Sequence, residues 1–204
     1  MNARGTRWQW GLKYALDWLV AAALFFPLIV IIAGLGVVLY LDSPGPILFR
    51  QQRPGRNGKL FAMYKLRTMT PGDHTAQTPR NPDGSLKLTG TLGGYTRFGK
   101  WLRRFSLDEL PQIYNILKGQ MSFIGPRPDL PEHLALYTET EVLKLAVRPG
   151  LTGLAQVSGR NELPWKDRLQ LDLAYVQEYS LWLDLKIGGL TLIRMLSGRG
   201  VYQR

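Results

Sequence analysis

The sequence predicts an α+β protein: a kinked, re-entrant membrane helix at the N-terminus, followed by a small, mostly helical domain with a short β element. Three observations carry this. Residues 18–41, WLVAAALFFPLIVIIAGLGVVLYL, hold no charge and have a proline near their middle. Residues 60–69, LFAMYKLRTM, alternate as a strand does, with Lys65 and Arg67 on one face. Residues 131–145 and 165–180 space their apolar positions as helices do. The chain divides accordingly into a membrane segment, 1–41, and a domain, 42–204.

Residues 1–17 form a polar, basic and aromatic lead with Arg4, Arg7, Trp8, Trp10, Lys13 and Tyr14. As a helix the uncharged run would measure roughly 36 Å, against a hydrocarbon core about 30 Å thick. It is too long for a signal peptide, and no small-x-small cleavage site closes it. Pro27 lacks an N–H, frees the carbonyl of Ala23 and forces a kink about halfway along. Basic residues lie on both flanks, Arg4, Arg7 and Lys13 before and Arg50, Arg53, Arg56 and Lys59 after. Positive charge favours the cytoplasmic face, so a hairpin that returns to its side of entry fits better than a single pass, with a plain kinked span as the alternative.

Composition limits the chemistry. A net charge of +11 with pI near 10.1 points to anionic partners: nucleic acid, anionic lipid headgroups or phosphorylated substrates. With no cysteine there is no disulfide, thiolate nucleophile or thiolate metal site, and with only His74 and His133 no histidine-rich site either. Any metal is a hard cation on oxygen ligands, Mg2+ by default with Mn2+ as the alternative.

After the membrane segment come a turn-rich stretch at residues 42–46, a short apolar run at 47–49 and a basic Pro/Gly loop at 53–59. Residues 70–95 read as a long surface loop in which His74 is solvated. Residues 96–105, TRFGKWLRRF, interleave basic and aromatic side chains.

The chain is organised around residues 106–130, SLDELPQIYNILKGQMSFIGPRPDL. Here the Asp108-Glu109 pair precedes a proline, a helical run spans 113–117, and a turn falls at Lys118-Gly119. The segment closes on the rigid Gly125-Pro126-Arg127-Pro128-Asp129 loop. Two acids and an arginine held between structure punctuators in a basic chain read as a catalytic segment. Ser106 with Glu109 three residues on also fits a capping box, and for Asp108 the plain alternative is a favourable first-turn charge. The helix over 131–145 would pack through Leu134, Tyr137, Val142 and Leu145 and leave His133 exposed. In residues 147–161, Arg148 and Arg160 flank a glycine-rich turn. They suit bidentate phosphate contacts and equally suit surface arginines. The tail, LWLDLKIGGLTLIRML, is too charged to span; it fits the membrane interface or the core equally well.

Together, DSPGPILFRQQRPGRNGK, YKLRTM, LDELPQIYNILKGQMSFIGPRPDLP and VRPGLTGLAQVSGRN resemble, in order and over nearly the whole chain, the bacterial sugar transferases. More narrowly, they resemble the small, single-domain form of the monotopic polyprenyl-phosphate phosphoglycosyl transferases. The resemblance implies transfer of a phosphosugar from a UDP-sugar to undecaprenyl phosphate, with release of UMP, at the cytoplasmic face of the bacterial inner membrane. The product would initiate a surface polysaccharide or other glycoconjugate. By motif, Asp108 would be the nucleophile that carries a covalent phosphosugar, Glu109 its assistant, and both would hold Mg2+. By the same motifs Lys65, Arg103, Arg127 and Arg160 would meet phosphates; Arg67, on the strand face with Lys65, and Arg148, in the glycine-rich turn, are candidates for the same contacts from their own positions. Anionic lipids are expected partners and nucleic acid is not, since no nucleic-acid-binding motif is present; a homo-oligomer is compatible with the chain. One departure concerns the membrane kink. The family often has Ser-Pro there and this chain has Phe26-Pro27, so no serine hydroxyl satisfies the freed carbonyl.

Overall fold

The structure, a computed structural model, describes residues 5–70, 94–159 and 163–197. The expectations for His74 and Arg160 lie outside these residues.

Helix α1 runs from Arg7 to Asp42 and includes most of the expected polar lead. Thr6 starts it through a reciprocal capping box: its hydroxyl accepts from Gln9 N, and the Gln9 side chain accepts from Thr6 N. The backbone stays helical through Pro27. By length and apolar composition α1 is able to cross a membrane. Two faces divide it. Lys13, Asp17 and Ala21 toward its start and Gly36 and Leu39 toward its end are buried against the rest of the chain, and Phe25, Leu28, Ile32 and Leu35 between them are partly buried at helical spacing. Trp18, Leu19, Phe26, Val30, Val37 and Leu41 point outward, uncovered.

Strands β1 (Leu48–Pro54) and β2 (Leu60–Leu66) form an antiparallel hairpin with Leu48 opposite Leu66. The Pro/Gly loop between them is a 3-10 turn, Arg56–Gly58, in which Asn57 takes a left-handed φ of 57°. The expected strand is therefore shorter, and Arg67 lies just beyond it. Phe61 and Met63 of β2 enter a core with Ala21 of α1 and Ile113, Ile116 and Met121. Lys65 continues the same strand face.

Helix α2 (Arg97–Arg104) starts at Thr96, whose hydroxyl accepts from Gly99 N at 2.8 Å. Asp42, at the end of α1, accepts from Phe98 N. A 3-10 turn, Leu107–Gln112, leads directly into α3 (Ile113–Leu117), the helical run read from the sequence. Asn115 is fully buried and fastens α3 to β2. Its Oδ1 accepts from Tyr64 N at 3.2 Å, and its Nδ2 donates to Ala62 O at 2.8 Å and to Gln120 Oε1 at 2.9 Å.

Strands β3 (Ser122–Ile124) and β4 (Gly150–Thr152) pair in parallel. The neighbouring backbones meet so closely that a Cβ on Gly153 would lie 2.1 Å from Gly125 O, and one on Gly150 2.2 Å from Gly125 N. Only glycine fits at these contacts. Helix α4 (Leu154–Ser158) follows, then α5 (Trp165–Glu178) and α6 (Leu181–Ser197).

The helix expected over 131–145 is two 3-10 turns, Pro131–Leu136 and Glu141–Ala146, interrupted at Tyr137–Thr140. Thr138 and Glu141 bond each other's backbone there (2.7 and 3.4 Å), which replaces the helical ladder. Val142 is half exposed, and His133, expected at the surface, is buried edge-on against Trp165.

Replacing Asn115 with alanine removes the acceptor for a buried strand N–H and the donor for a carbonyl. We expect a loss of about 1–3 kcal/mol in stability, read as a lowered thermal midpoint of the detergent-solubilised chain. An unchanged midpoint would show that the α3–β2 seam does not depend on this side chain.

Candidate active site

The centre of the site is the carboxylate of Glu109. Its Oε1 accepts from Lys65 Nζ at 2.6 Å and from Arg127 Nη2 at 3.0 Å. Three separate pieces of chain thus meet at one oxygen: β2, the 3-10 turn after α2, and the Pro-Arg-Pro loop. The expected capping box is absent. Ser106 sits in the left-handed region (φ 57°) without a side-chain cap bond, and Glu109 faces its two cations instead. Burial by itself would raise the Glu109 carboxyl, but the Arg127 and Lys65 charges and their hydrogen bonds outweigh it and hold it far below the usual range. Burial draws Lys65 down; the Glu109 charge draws Arg127 up.

Asp108 differs from its neighbour. It is only 7% exposed and no hydrogen bond or ion pair among the described residues engages its carboxylate. Burial and the adjacent Glu109 charge push its proton affinity up, while Lys65, Arg103 and Arg127 oppose them without prevailing. One carboxylate of the pair is spent on holding cations and the other is left to face a cavity.

That cavity has a volume of about 440 Å3. Asp108, Glu109, Arg103 and Arg127 line it, together with Trp165, Arg168 and Asp172 from one face of α5. Val20 and Leu24 of α1, with Leu192 and Met195 of α6, add an apolar wall. Arg103 donates to the Tyr95 hydroxyl and lies 4.9 Å over that ring.

Of the six cations read from the sequence, Lys65, Arg103 and Arg127 gather at the pair. Arg67 is placed elsewhere: it is buried and donates to the carbonyls of Ser43 and Pro44, fastening the chain that leaves α1. Arg148 also lies away from the cavity lining, with its guanidinium 4.0 Å over the Tyr14 ring.

Sequence reasoning missed the supports of the Arg127 loop. Lys144, 4% exposed, bridges Asp129 at 2.6 Å and Asp172 at 2.8 Å. Asp129 also accepts from the Tyr137 hydroxyl at 2.6 Å and from Trp165 Nε1 at 3.3 Å. Burial opposes the charges in this cluster, yet Lys144 holds the Asp129 carboxyl far below its usual range. Asp172 accepts from Arg127 N at 3.4 Å, and Arg53 donates to Pro128 O at 3.3 Å. Burial, with the nearby Arg127 charge, lowers Arg53 to about 10. The sequence signal for Asp172 was an acid on the buried stripe of α5, beside Leu169, Leu173 and Val176.

Among the described residues no cluster of three or more His, Cys, Asp or Glu suits a metal. The unengaged Asp108 carboxylate and the second Glu109 oxygen fit the other mode, in which Mg2+ takes one or two carboxylates and completes its shell with substrate phosphates and water.

A family model described as bacterial sugar transferase matches residues 8–198. The chain is 41% identical over 192 residues to a protein named "Uncharacterized sugar transferase EpsL" of Bacillus subtilis (strain 168), covering 94% of this chain and 91% of that one. It is 41% identical over 191 residues to "Exopolysaccharide production protein ExoY" of Rhizobium meliloti (strain 1021), covering 90% and 83%. It is also 41% identical over 198 residues to the "UDP-glucose:undecaprenyl-phosphate glucose-1-phosphate transferase" of Xanthomonas campestris pv. campestris, where 93% of this chain spans 40% of the longer relative. With nearly all of its length inside the family model and its Asp-Glu pair at the centre of the fold, the chain belongs to the bacterial sugar transferases.

Proposed function

We propose that this protein transfers a sugar phosphate from a UDP-sugar to undecaprenyl phosphate, releasing UMP, and so initiates a surface polysaccharide or glycoconjugate. The observation that carries the reading is the division of labour in the pair: Asp108 is buried, unengaged and faces the cavity, while Glu109 is already bound to Lys65 and Arg127. The name of the Xanthomonas relative supplies the substrate classes, UDP-sugar and undecaprenyl phosphate.

In this reading an Asp108 oxygen attacks the phosphorus that carries the sugar. The bond from that phosphorus to the bridging oxygen breaks, UMP leaves with the oxygen, and an aspartyl phosphosugar remains. A phosphate oxygen of undecaprenyl phosphate then attacks the same phosphorus, which frees Asp108 and yields the polyprenyl diphosphate sugar. Arg127 and Arg103 stabilise charge on the transferring phosphoryl group, and Glu109 keeps Arg127 and Lys65 in position. Asp108 and Glu109 would hold Mg2+, with Mn2+ the alternative, and the ion would neutralise the donor's diphosphate.

We further propose that α1 enters the membrane and returns, leaving the domain on the cytoplasmic face of the inner membrane. Support comes from packing. Lys13 near its start reaches Asp184 of α6, and Leu39 near its end packs with Leu66 and Leu102, so both ends rest on one body. The uncovered apolar face of α1 and Trp182, Leu185 and Ile193 of α6 would meet lipid.

A panel of UDP-sugars, each with and without undecaprenyl phosphate and Mg2+, tests the reaction. We expect UMP release from one sugar that needs both the lipid and the metal. Asp108→Asn should lower it by about a thousandfold or more, the scale of losing a covalent nucleophile, while the protein stays with the membrane fraction. Full-rate release without lipid would indicate a nucleotide-sugar hydrolase, and an active Asp108→Asn variant would remove the nucleophile assignment.

The raised proton affinity of Asp108 has a kinetic sign. As pH falls through its pKa the nucleophile is protonated and kcat/KM for the donor declines, so the acid limb should lie above the ordinary carboxylate value of about 4. Arg127 opposes the rise, so Arg127→Met should move the limb further up. A limb at or below 4 in the unmodified protein would contradict this environment for Asp108.

A further inference from the structure

The catalytic cavity has one wall that neither the dyad nor the cations explain. Val20 and Leu24 come from α1, Leu192 and Met195 from α6, and Phe123 lies between. Val20, Leu24 and Leu192 are also 47%, 41% and 64% exposed, so the wall continues onto the outer surface of the molecule. The residues beyond it there are apolar as well: Trp18 and Leu19 on α1, Leu185 and Ile193 on α6.

One contact ties α1 to α6, and a second ties α6 to β4. Lys13 of α1 pairs with Asp184 of α6 at 2.7 Å, with both side chains buried. Farther along, the Thr191 hydroxyl bonds Thr152 of β4 at 2.8 Å. Between these contacts α6 presents Gly188 to the cavity. A Cβ at Gly188 would meet only Ile124 Cδ1, at 3.6 Å, so the position is open on the cavity side. Glycine in the middle of a helix weakens it, and here it leaves room in the lining of the cavity that Asp108 also lines.

Resting on the proposed reaction, we infer that the slot between α1 and α6, floored by Gly188, receives the first isoprenoid units of the acceptor and lets the acceptor phosphate reach Asp108 from the lipid side. The chemistry favours this occupant over the donor. A nucleotide sugar has no apolar chain to set against Val20, Leu24, Leu192 and Met195, whereas the acceptor is a phosphate on a continuous hydrocarbon. Its charged end needs the arginines beside Asp108, and its tail must leave toward the uncovered apolar face. The slot supplies that path.

The two half-reactions separate donor from acceptor. Exchange of labelled UMP into the UDP-sugar uses the donor half-reaction alone, with Mg2+ present and no lipid; transfer to undecaprenyl phosphate needs the slot as well. In the full chain, Gly188→Leu should keep UMP exchange within about twofold. It should lose transfer to undecaprenyl phosphate by about tenfold or more, the scale on which an apolar pocket rejects a misfit. Transfer to a phosphate monoester with a single isoprene unit should survive. Gly189→Leu makes the same change in helix propensity at a position where an added Cβ has no neighbour within 4 Å, and should transfer normally. Leu24→Trp, from the opposite wall, should reproduce the Gly188→Leu pattern and guards against a folding defect in α6. Equal loss of exchange and transfer in both slot variants, or normal transfer in both, would overturn the inference. An unmodified protein that exchanges no UMP with any donor would overturn the proposed reaction and the slot with it.

Discussion

One carboxylate oxygen of Glu109 holds the site together. The cations it accepts come from a strand and a loop that are distant in sequence, and it sits in the turn that also carries Asp108. A buried ion pair recovers its desolvation only when its geometry is good and its remaining groups are satisfied. Much of the surrounding structure serves that condition. Asn115 fixes the turn and α3 against β2, so that Lys65 arrives at Glu109. Lys144, Asp129, Asp172 and Arg53 fix the Pro-Arg-Pro loop, so that Arg127 does. The result is an adjacent pair of acids with opposite proton affinities, produced by environment alone.

The sequence made the pair visible because two acids before a proline in a basic chain have few plain explanations, and because the flanking motifs resemble a known family. It also exposed α1, α3 and α5, whose apolar periodicity or length is long-range enough to read. It misled where a local pattern competed with tertiary contacts. The spacing of Ser106 and Glu109 imitates a capping box, yet two cations outbid one backbone N–H for the Glu109 side chain. Residues 131–145 imitate a helix, but the Thr138–Glu141 bonds break the ladder and Trp165 draws His133 inward.

Other features left no trace a single sequence could show. The three-residue strands β3 and β4 are too short for alternation to register, and their pairing depends on glycines whose partners lie elsewhere in the chain. Lys144 reads as a surface charge until folding brings it between Asp129 and Asp172. Arg67 and Arg148 illustrate the converse. Both are candidates for phosphate contacts in the sequence, yet Arg67 bonds backbone carbonyls behind α1, and Arg148 lies over an aromatic ring of α1.

The bond from Lys13 to Asp184 joins residues 171 positions apart. The helix that bears Lys13 precedes every strand and α6 in the chain, so it is synthesised before its partners. Its buried stripe, and Ala21 in the central core, have nothing to pack against until those later residues exist. The core therefore closes only after α6 supplies the carboxylate of Asp184. In the proposed membrane-bound protein, the bilayer would shelter the apolar stretch of α1 during that interval, and so would serve as a scaffold for folding as well as the place of work.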